Sequence, residues 1–305
     1  MRYLVTGGAG FIGSHLVDAL LSSGEEVVVV DDLSTGSLEN ISHVRSKVEF
    51  YKADCSEVSK LGIKDLDGIF HLGIPSSSPM YRANRELTWI ALRGFIAVAE
   101  LAMEEGCKLV LASTSSVYNG NPIPWREDMK IIPTDFYSEV RYAMERLGML
   151  YHDLYGLSFV ALRYFSVYGE REKAKGKYAN LVSQFLWAIM KDEPPVIYGD
   201  GTQTRDFIYV DDAVRATLLA MKSKLRCDVI NVGYGKNYSL NELVKLINEV
   251  LGKNVRPRYV PNPIKNYVYH TLADTSLAEK KLGFRAKVDL KTGIEKLAKF
   301  YGAVR

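Results

Sequence analysis

Short apolar runs alternate with longer stretches of helical spacing through the first two thirds of the chain. Tyr3–Val5 is wholly apolar, and Ser14–Ser22 places Leu16, Val17, Leu20 and Leu21 on one helical face. Gly24 falls where that helix would stop, and Val27–Val30 is an unbroken apolar run. Strands read that way when helices cover both faces of a parallel sheet, because neither face meets water. The same alternation recurs at Gly68–Leu72, Lys108–Ala112 and Ser158–Leu162, while Glu86–Glu105 carries Leu92, Phe95, Val98 and Leu101 at helical spacings. The predicted fold class is α/β, with a Rossmann-type doubly wound parallel sheet.

After Tyr168 the texture changes. Glu170–Tyr178 is charged and contains glycine, so it reads as a surface loop. Leu181–Lys191, Asp211–Lys222, Leu240–Leu251 and Leu290–Tyr301 have helical patterns, the first ended by Glu193-Pro194-Pro195. This predicts a smaller C-terminal α/β domain interleaved with the first. The expected division gives 1–168 to nucleotide binding, with 206–233 returning to it, and 169–205 with 234–305 to substrate.

Composition narrows the classes. The 305 residues are 47% hydrophobic and 25% charged, which excludes disorder as the main state. Lys+Arg 39 against Asp+Glu 36 leaves +3, too balanced for a nucleic-acid footprint or an anionic membrane surface. No apolar run approaches the ~18–20 residues of a membrane helix, and Met1-Arg2 leads straight into a strand-like run rather than a signal peptide. Cys55, Cys107 and Cys227 are widely spaced, with no metal-binding pair. A soluble, reduced, cytoplasmic protein without a metal is expected.

Thr6-Gly7-Gly8-Ala9-Gly10-Phe11-Ile12-Gly13 joins the first strand to the first helix. Gly7, Gly10 and Gly13 suit a tight turn, close backbone approach to a pyrophosphate, and close packing of helix on strand. The helix N-terminus then offers free N–H groups to phosphate. Asp31 closes the second strand, where a carboxylate would accept from an adenosine ribose and repel a 2′-phosphate, favouring NAD over NADP. The plainer reading of Asp31-Asp32 is a turn after a strand.

Ser113–Tyr118, Tyr137–Arg141 and Leu162–Gly169 would fall at the carboxyl ends of strands or on a helix facing them, where open α/β sheets bind ligands. With Thr6–Gly13, Asp31–Gly36, Phe70–Leu72, Pro133–Arg141, Tyr198–Phe207, Tyr209–Asp212 and Leu272–Ser276, they make the chain resemble an extended short-chain dehydrogenase/reductase. The group it resembles is the sugar-nucleotide epimerases and dehydratases typified by UDP-glucose 4-epimerase. The likeness covers nearly the whole length.

That resemblance implies a NAD-dependent isomerase acting on a nucleotide sugar, with another sugar-nucleotide oxidoreductase or dehydratase on the same scaffold, or a non-catalytic NAD-binding sensor, as the alternatives. UDP-glucose/UDP-galactose, or an N-acetylated form, would be epimerised at C4 through a transient 4-keto sugar. Tyr137 matches the family's catalytic tyrosine and Thr114 its hydroxyl. A phenol whose ordinary pKa is near 10 needs a neighbouring cation to act as a base. Arg141 stands where the family has lysine, one helical turn along, and keeps the charge with a forked head. For the cofactor, the resemblance assigns Gly7, Gly10, Phe11, Ile12, Gly13, Asp31, Asp32, Ser34, Thr35 and Gly36. It adds Asp54, Cys55, Leu72, Gly73, Ile74, Tyr137, Arg141, Tyr164 and Phe165. For the substrate it assigns Ser76, Thr114, Tyr137, Ser166, Asn180, Leu181, Arg205 and Lys265. It also implies a homodimer built on the helices Arg82–Glu105 and Arg141–Tyr155.

Several positions depart from the family. Ser166 replaces asparagine, Ala91 replaces a cofactor-supporting asparagine, and Lys265 stands where an arginine grips the diphosphate; Arg205 retains the other arginine. The related 4,6-dehydratases place Asp-Glu after the active-site threonine. Here Ser115-Ser116 stands there, and hydroxyls cannot serve as that acid/base pair. His71 reads as a packed strand-end residue.

Overall fold

The structure, a computed structural model, describes residues 1–304. Seven parallel strands form the central sheet: β1 (Arg2–Thr6), β2 (Glu26–Val30), β3 (Glu49–Tyr51), β4 (Gly68–His71), β5 (Lys108–Thr114), β6 (Phe159–Tyr164) and a late strand, Cys227–Val232. The remaining strands are β7 (Ser166–Tyr168), β8 (Val196–Tyr198), β9 (Thr204–Tyr209), β11 (Asn237–Ser239) and β12 (Arg258–Val260), which makes Cys227–Val232 β10. Across the sheet the order is β3-β2-β1-β4-β5-β6-β10. The chain reverses direction across the sheet between β1 and β4, and ligand crevices of doubly wound folds open at such a point.

The helices are α1 (Phe11–Ser22), α2 (Ser78–Ala83), α3 (Leu87–Glu104), α4 (Phe136–Tyr155), α5 (Leu181–Met190), α6 (Val210–Lys222), α7 (Leu240–Leu251), α8 (Ser276–Leu282) and α9 (Leu290–Phe300). Alternate residues of one strand feed opposite layers. Val5 packs with Leu16, Val17 and Ala213 from α1 and α6, whereas Leu4 packs with Phe95, Val98 and Met144 from α3 and α4. This double coverage is why β1, β2 and β6 are uniformly apolar over most of their length.

Beyond the main sheet, β7 pairs with β9 and β9 with β11, and β8 pairs with β12. The later helices α5, α7 and α9 continue the α1/α6 core layer through Leu186, Leu243 and Leu297.

Three local expectations change. The first helix begins at Phe11, earlier than its apolar spacing suggests, because the glycine turn runs directly into it with Gly10 as N-cap. The helix expected from Arg82 to Glu105 is broken: α2 ends at Ala83, Asn84 is extended (φ −140°, ψ 106°), and α3 starts at Leu87. Glu170–Tyr178 is not simply loop, since Lys173–Tyr178 coils into 3-10 turns that kink at Gly176 (φ 51°, ψ −122°). Among the described residues, no helix is long and apolar enough to cross a membrane, and no group of His, Cys, Asp or Glu could hold a metal ion.

Candidate active site

A cavity of about 630 Å³ opens along the carboxyl ends of β1, β4, β5 and β6. One end is built from the glycine turn. Gly7 has φ +72°, a conformation that glycine adopts freely, and a Cβ there would lie 2.6 Å from the Gly73 nitrogen. A Cβ on Gly13 would lie 2.0 Å from the Gly7 carbonyl oxygen. The turn is therefore packed against α1 and the end of β4 at a distance that only glycine permits, leaving the α1 N-terminus facing the cavity.

Asp31 closes this end. Its buried carboxylate accepts from the Ala9 N–H (2.9 Å) and the Leu33 N–H (2.8 Å), and burial pushes its pKa upward. Asp32 accepts from Ser34 N–H (2.8 Å), so the Asp31–Gly36 stretch is a turn and a cavity wall together. Asp54 caps the following 3-10 turn through Ser56 N–H (2.8 Å). The Cys55 thiol donates to the Gly73 carbonyl (3.3 Å), and burial pushes it to about 12, a packed thiol rather than a nucleophile.

The other end gathers the groups able to move a proton. Asp135 caps α4 reciprocally with Ser138, which holds the first turn of that helix and places Tyr137 in it, half-buried. Thr114, at the end of β5, caps a 3-10 turn by accepting from Ser116 N–H (3.2 Å). Arg141 is 4% exposed; its Nη1 donates to the Ala112 carbonyl and its Nη2 to the Pro75 carbonyl (3.1 Å). Tyr137 also packs against Tyr81, ring centroids 5.7 Å apart, and burial pushes the Tyr81 phenol to about 12.

Behind this end lies a buried polar network. Ser113 Oγ donates to Glu145 (2.5 Å), the Glu145–Arg163 ion pair closes at 2.6 Å, and Arg163 reaches Tyr118 Oη (2.7 Å). Tyr118 donates to Asn231 (2.8 Å), linking α4, β5, β6 and β10 beneath Thr114. His71 is fully buried, its Nδ1 sharing a hydrogen bond with Thr6 Oγ1 (2.8 Å). Burial, with Arg141's charge adding to it, pushes this imidazole down to about 3.

All the residues assigned to cofactor, together with Ser76, Thr114, Ser166 and Asn180, line this one cavity. Tyr164 lines it too, and its hydroxyl is shared with Thr217 of α6 (2.6 Å). Asn180 caps α5 through Val182 N–H (3.0 Å) and donates to the Val167 carbonyl (3.0 Å). Leu181, Arg205 and Lys265 do not line it. Leu181 packs against the core, and Lys265 is exposed. The Arg205 guanidinium donates to the carbonyls of Thr204 (2.8 Å), Tyr269 (3.0 Å) and Val268 (2.6 Å), because the segment after Tyr267 lies along β9. Sequence reasoning missed Ser77, Ser78, Met80, Lys175 and Tyr178 as lining residues. Ser77 and Ser78 adjoin Ser76 and were within reach of that signal; Lys175 and Tyr178 were not, since only packing brings them there.

An elongated cavity with a glycine cradle, an acid at the end of β2 and a tyrosine–cation pair opposite fits a dinucleotide beside a second ligand. A family model described as "NAD dependent epimerase/dehydratase family" matches residues 3–233. The chain belongs to this family. NAD is accordingly its cofactor, and the close-packed turn at Gly7 and Gly13, with the buried Asp31 carboxylate beside it, has the shape and chemistry a dinucleotide would fit. A Methanocaldococcus jannaschii protein provisionally named a UDP-glucose 4-epimerase is 36% identical, over 96% of each chain. The UDP-glucuronate 4-epimerase of Thermodesulfobacterium geofontis is 34% identical, over 96% of this chain and 94% of its own. Among solved structures, the UDP-glucose 4-epimerase of Thermotoga maritima with UDP-glucose superposes with a TM-score of 0.93, at 32% identity and 99% coverage of both chains.

Proposed function

We propose that this enzyme epimerises a UDP-sugar at C4, with UDP-glucose/UDP-galactose or an N-acetylated form as the pair. The observation that carries the reading is the convergence of Thr114, Tyr137 and Arg141 on one cavity with the glycine cradle. Bound NAD supplies the reversible oxidation of the sugar carbon. Tyr137 takes the proton of the C4 hydroxyl and later returns it, and Thr114 holds that oxygen in line. Arg141 lies beside the Tyr137 ring, where its guanidinium is a fixed positive charge next to the residue that carries the reacting hydroxyl. The relatives' activities support a UDP-sugar, and Ser115-Ser116 in place of an Asp-Glu pair argues against elimination.

Three further readings go with it. The chain divides into 1–168 with 206–233 for the cofactor, and 169–205 with 234–305 for the substrate. Two copies pair through α3 and α4, where Trp89, Ile96, Leu150 and Leu154 are exposed apolar residues. The three cysteines are free, as suits the reducing cytoplasm.

The test is to incubate the protein with UDP-galactose, UDP-N-acetylgalactosamine and UDP-glucuronate separately and follow the sugars by proton NMR, with Tyr137→Phe as control. The expected result is a gluco epimer from one of the first two, no net NADH, and a silent control. Turnover of UDP-glucuronate alone would transfer the reading to that sugar acid.

A further inference from the structure

The cavity has an unequal supply of positive charge. Among its described lining residues Asp31, Asp32 and Asp54 are acidic, and only Arg141 and Lys175 are basic. Arg141 is committed: its two terminal nitrogens donate to the main-chain carbonyls of Ala112 and Pro75. Lys175 is differently placed. Its side chain is 15% exposed, and Nζ lies 3.0 Å from Glu172 Oε1 and 5.4 Å from the ring centroid of Phe11, the first residue of α1.

An ammonium has three protons to donate, and Glu172 takes one. Glu172 does not depend on the lysine alone, because its buried carboxylate also accepts from Asn180 N–H (3.1 Å) and Ser183 Oγ (2.5 Å). The lysine is thus anchored by one proton with others left for the cavity. The start of its segment is also held. Arg171 pairs with Asp18 of α1 (2.6 Å), Asn40 donates to the Arg171 carbonyl (3.4 Å), and His15 Nε2 lies 3.2 Å from the Glu170 carbonyl. These ties hold Glu170 and Arg171, and the Lys175 N–H donates to the Glu172 carbonyl (3.0 Å), so the stretch leading to the lysine is ordered before a ligand meets it.

We propose that Lys175 is the cation that binds a diphosphate in this cavity. The proposal rests on the reading that the cavity takes NAD beside a nucleotide sugar. Both ligands are diphosphate esters, and a charge-assisted N–H···O bond to a phosphate oxygen is the interaction an ammonium beside the α1 N-terminus is built to make. A lysine that merely neutralises Glu172 would affect folding and leave both ligands alone.

The test measures NAD release from the purified protein by fluorescence and UDP binding by titration calorimetry. Wild type is compared with Lys175→Met, Lys175→Arg and the double variant Glu172→Gln/Lys175→Met, which leaves no buried charge unpaired should the single change fail to fold. The expected result is that one ligand binds on the order of tenfold more weakly to the methionine variants, and that arginine restores most of the loss. Weakening confined to NAD assigns Lys175 to the cofactor's diphosphate, and weakening confined to UDP assigns it to the substrate's. Unchanged binding of both ligands to a folded methionine variant would overturn the proposal. Wild type that binds neither ligand would instead refute the underlying reading, and that outcome is visible before any variant is made.

Discussion

The guanidinium carbon of Arg141 lies 5.3 Å from the centroid of the Tyr137 ring, one turn along α4. The fork spreads its donors over two nitrogens, so that Nη1 reaches Ala112 at the end of β5 while Nη2 reaches Pro75 in the loop after β4, a span that one ammonium nitrogen does not have. Arg141 therefore sets a positive charge beside the tyrosine ring and bridges two strand ends. Replacement by lysine keeps the charge and loses part of the fork; replacement by methionine loses both. Lys at 141 is expected to keep turnover within about tenfold of wild type, and Met to lower it by about a hundredfold or more. The check is steady-state kinetics alongside NAD content; a methionine variant as active as the lysine variant would show that the charge is not used.

His71 makes stability depend on pH in a definite direction. Its folded pKa is lowered to about 3 by burial and by Arg141, against about 6.5 in an unfolded chain. Above pH ~6.5 both states hold a neutral imidazole. Between there and about 3 the unfolded chain binds a proton that the folded one refuses, so stability is lost as pH falls, by up to ~1.4 kcal/mol per unit. Urea unfolding of wild type and His71→Asn at pH 7, 6 and 5 isolates this contribution, and the variant should have the shallower slope. Parallel slopes would mean that His71 protonates freely in the fold.

Gly13→Ala should behave opposite to an ordinary glycine-to-alanine change in a helix, which usually stabilises by ~1 kcal/mol. The new methyl would sit 2.0 Å from the Gly7 carbonyl oxygen, a backbone atom that cannot swing aside, so the turn itself must open. The expected cost is ~1–3 kcal/mol, with NAD lost on purification. Thermal melting and the bound-NAD absorbance are the measurements; an unchanged melting temperature with full NAD content would show that the cradle adapts.

Much of the site was legible along the chain because its parts are local. The glycine spacing in Thr6–Gly13 demands a tight turn whatever surrounds it, and Tyr137 and Arg141 share a helix face by arithmetic alone. Arg205 shows the opposite case. The family resemblance assigned it to a diphosphate, and in the fold its donors go to carbonyls at Val268 and Tyr269, on a segment more than sixty residues away in sequence that is brought onto β9 by folding. Lys175 was hidden for the same reason: a charged, glycine-bearing stretch reads as solvent-facing until its ties to α1 are known.

The sequence by itself determined the alternation of strand and helix, the glycine cradle and the tyrosine–arginine pair, because hydrophobic period, turn geometry and one-turn spacing act over a few residues. Only the tertiary structure decided which cations face the cavity. Arg141, Arg205 and Lys175 all carry a positive charge, and what separates them is where their N–H groups find acceptors, a choice made by strand order and by contacts between residues as far apart as Asp18 and Arg171.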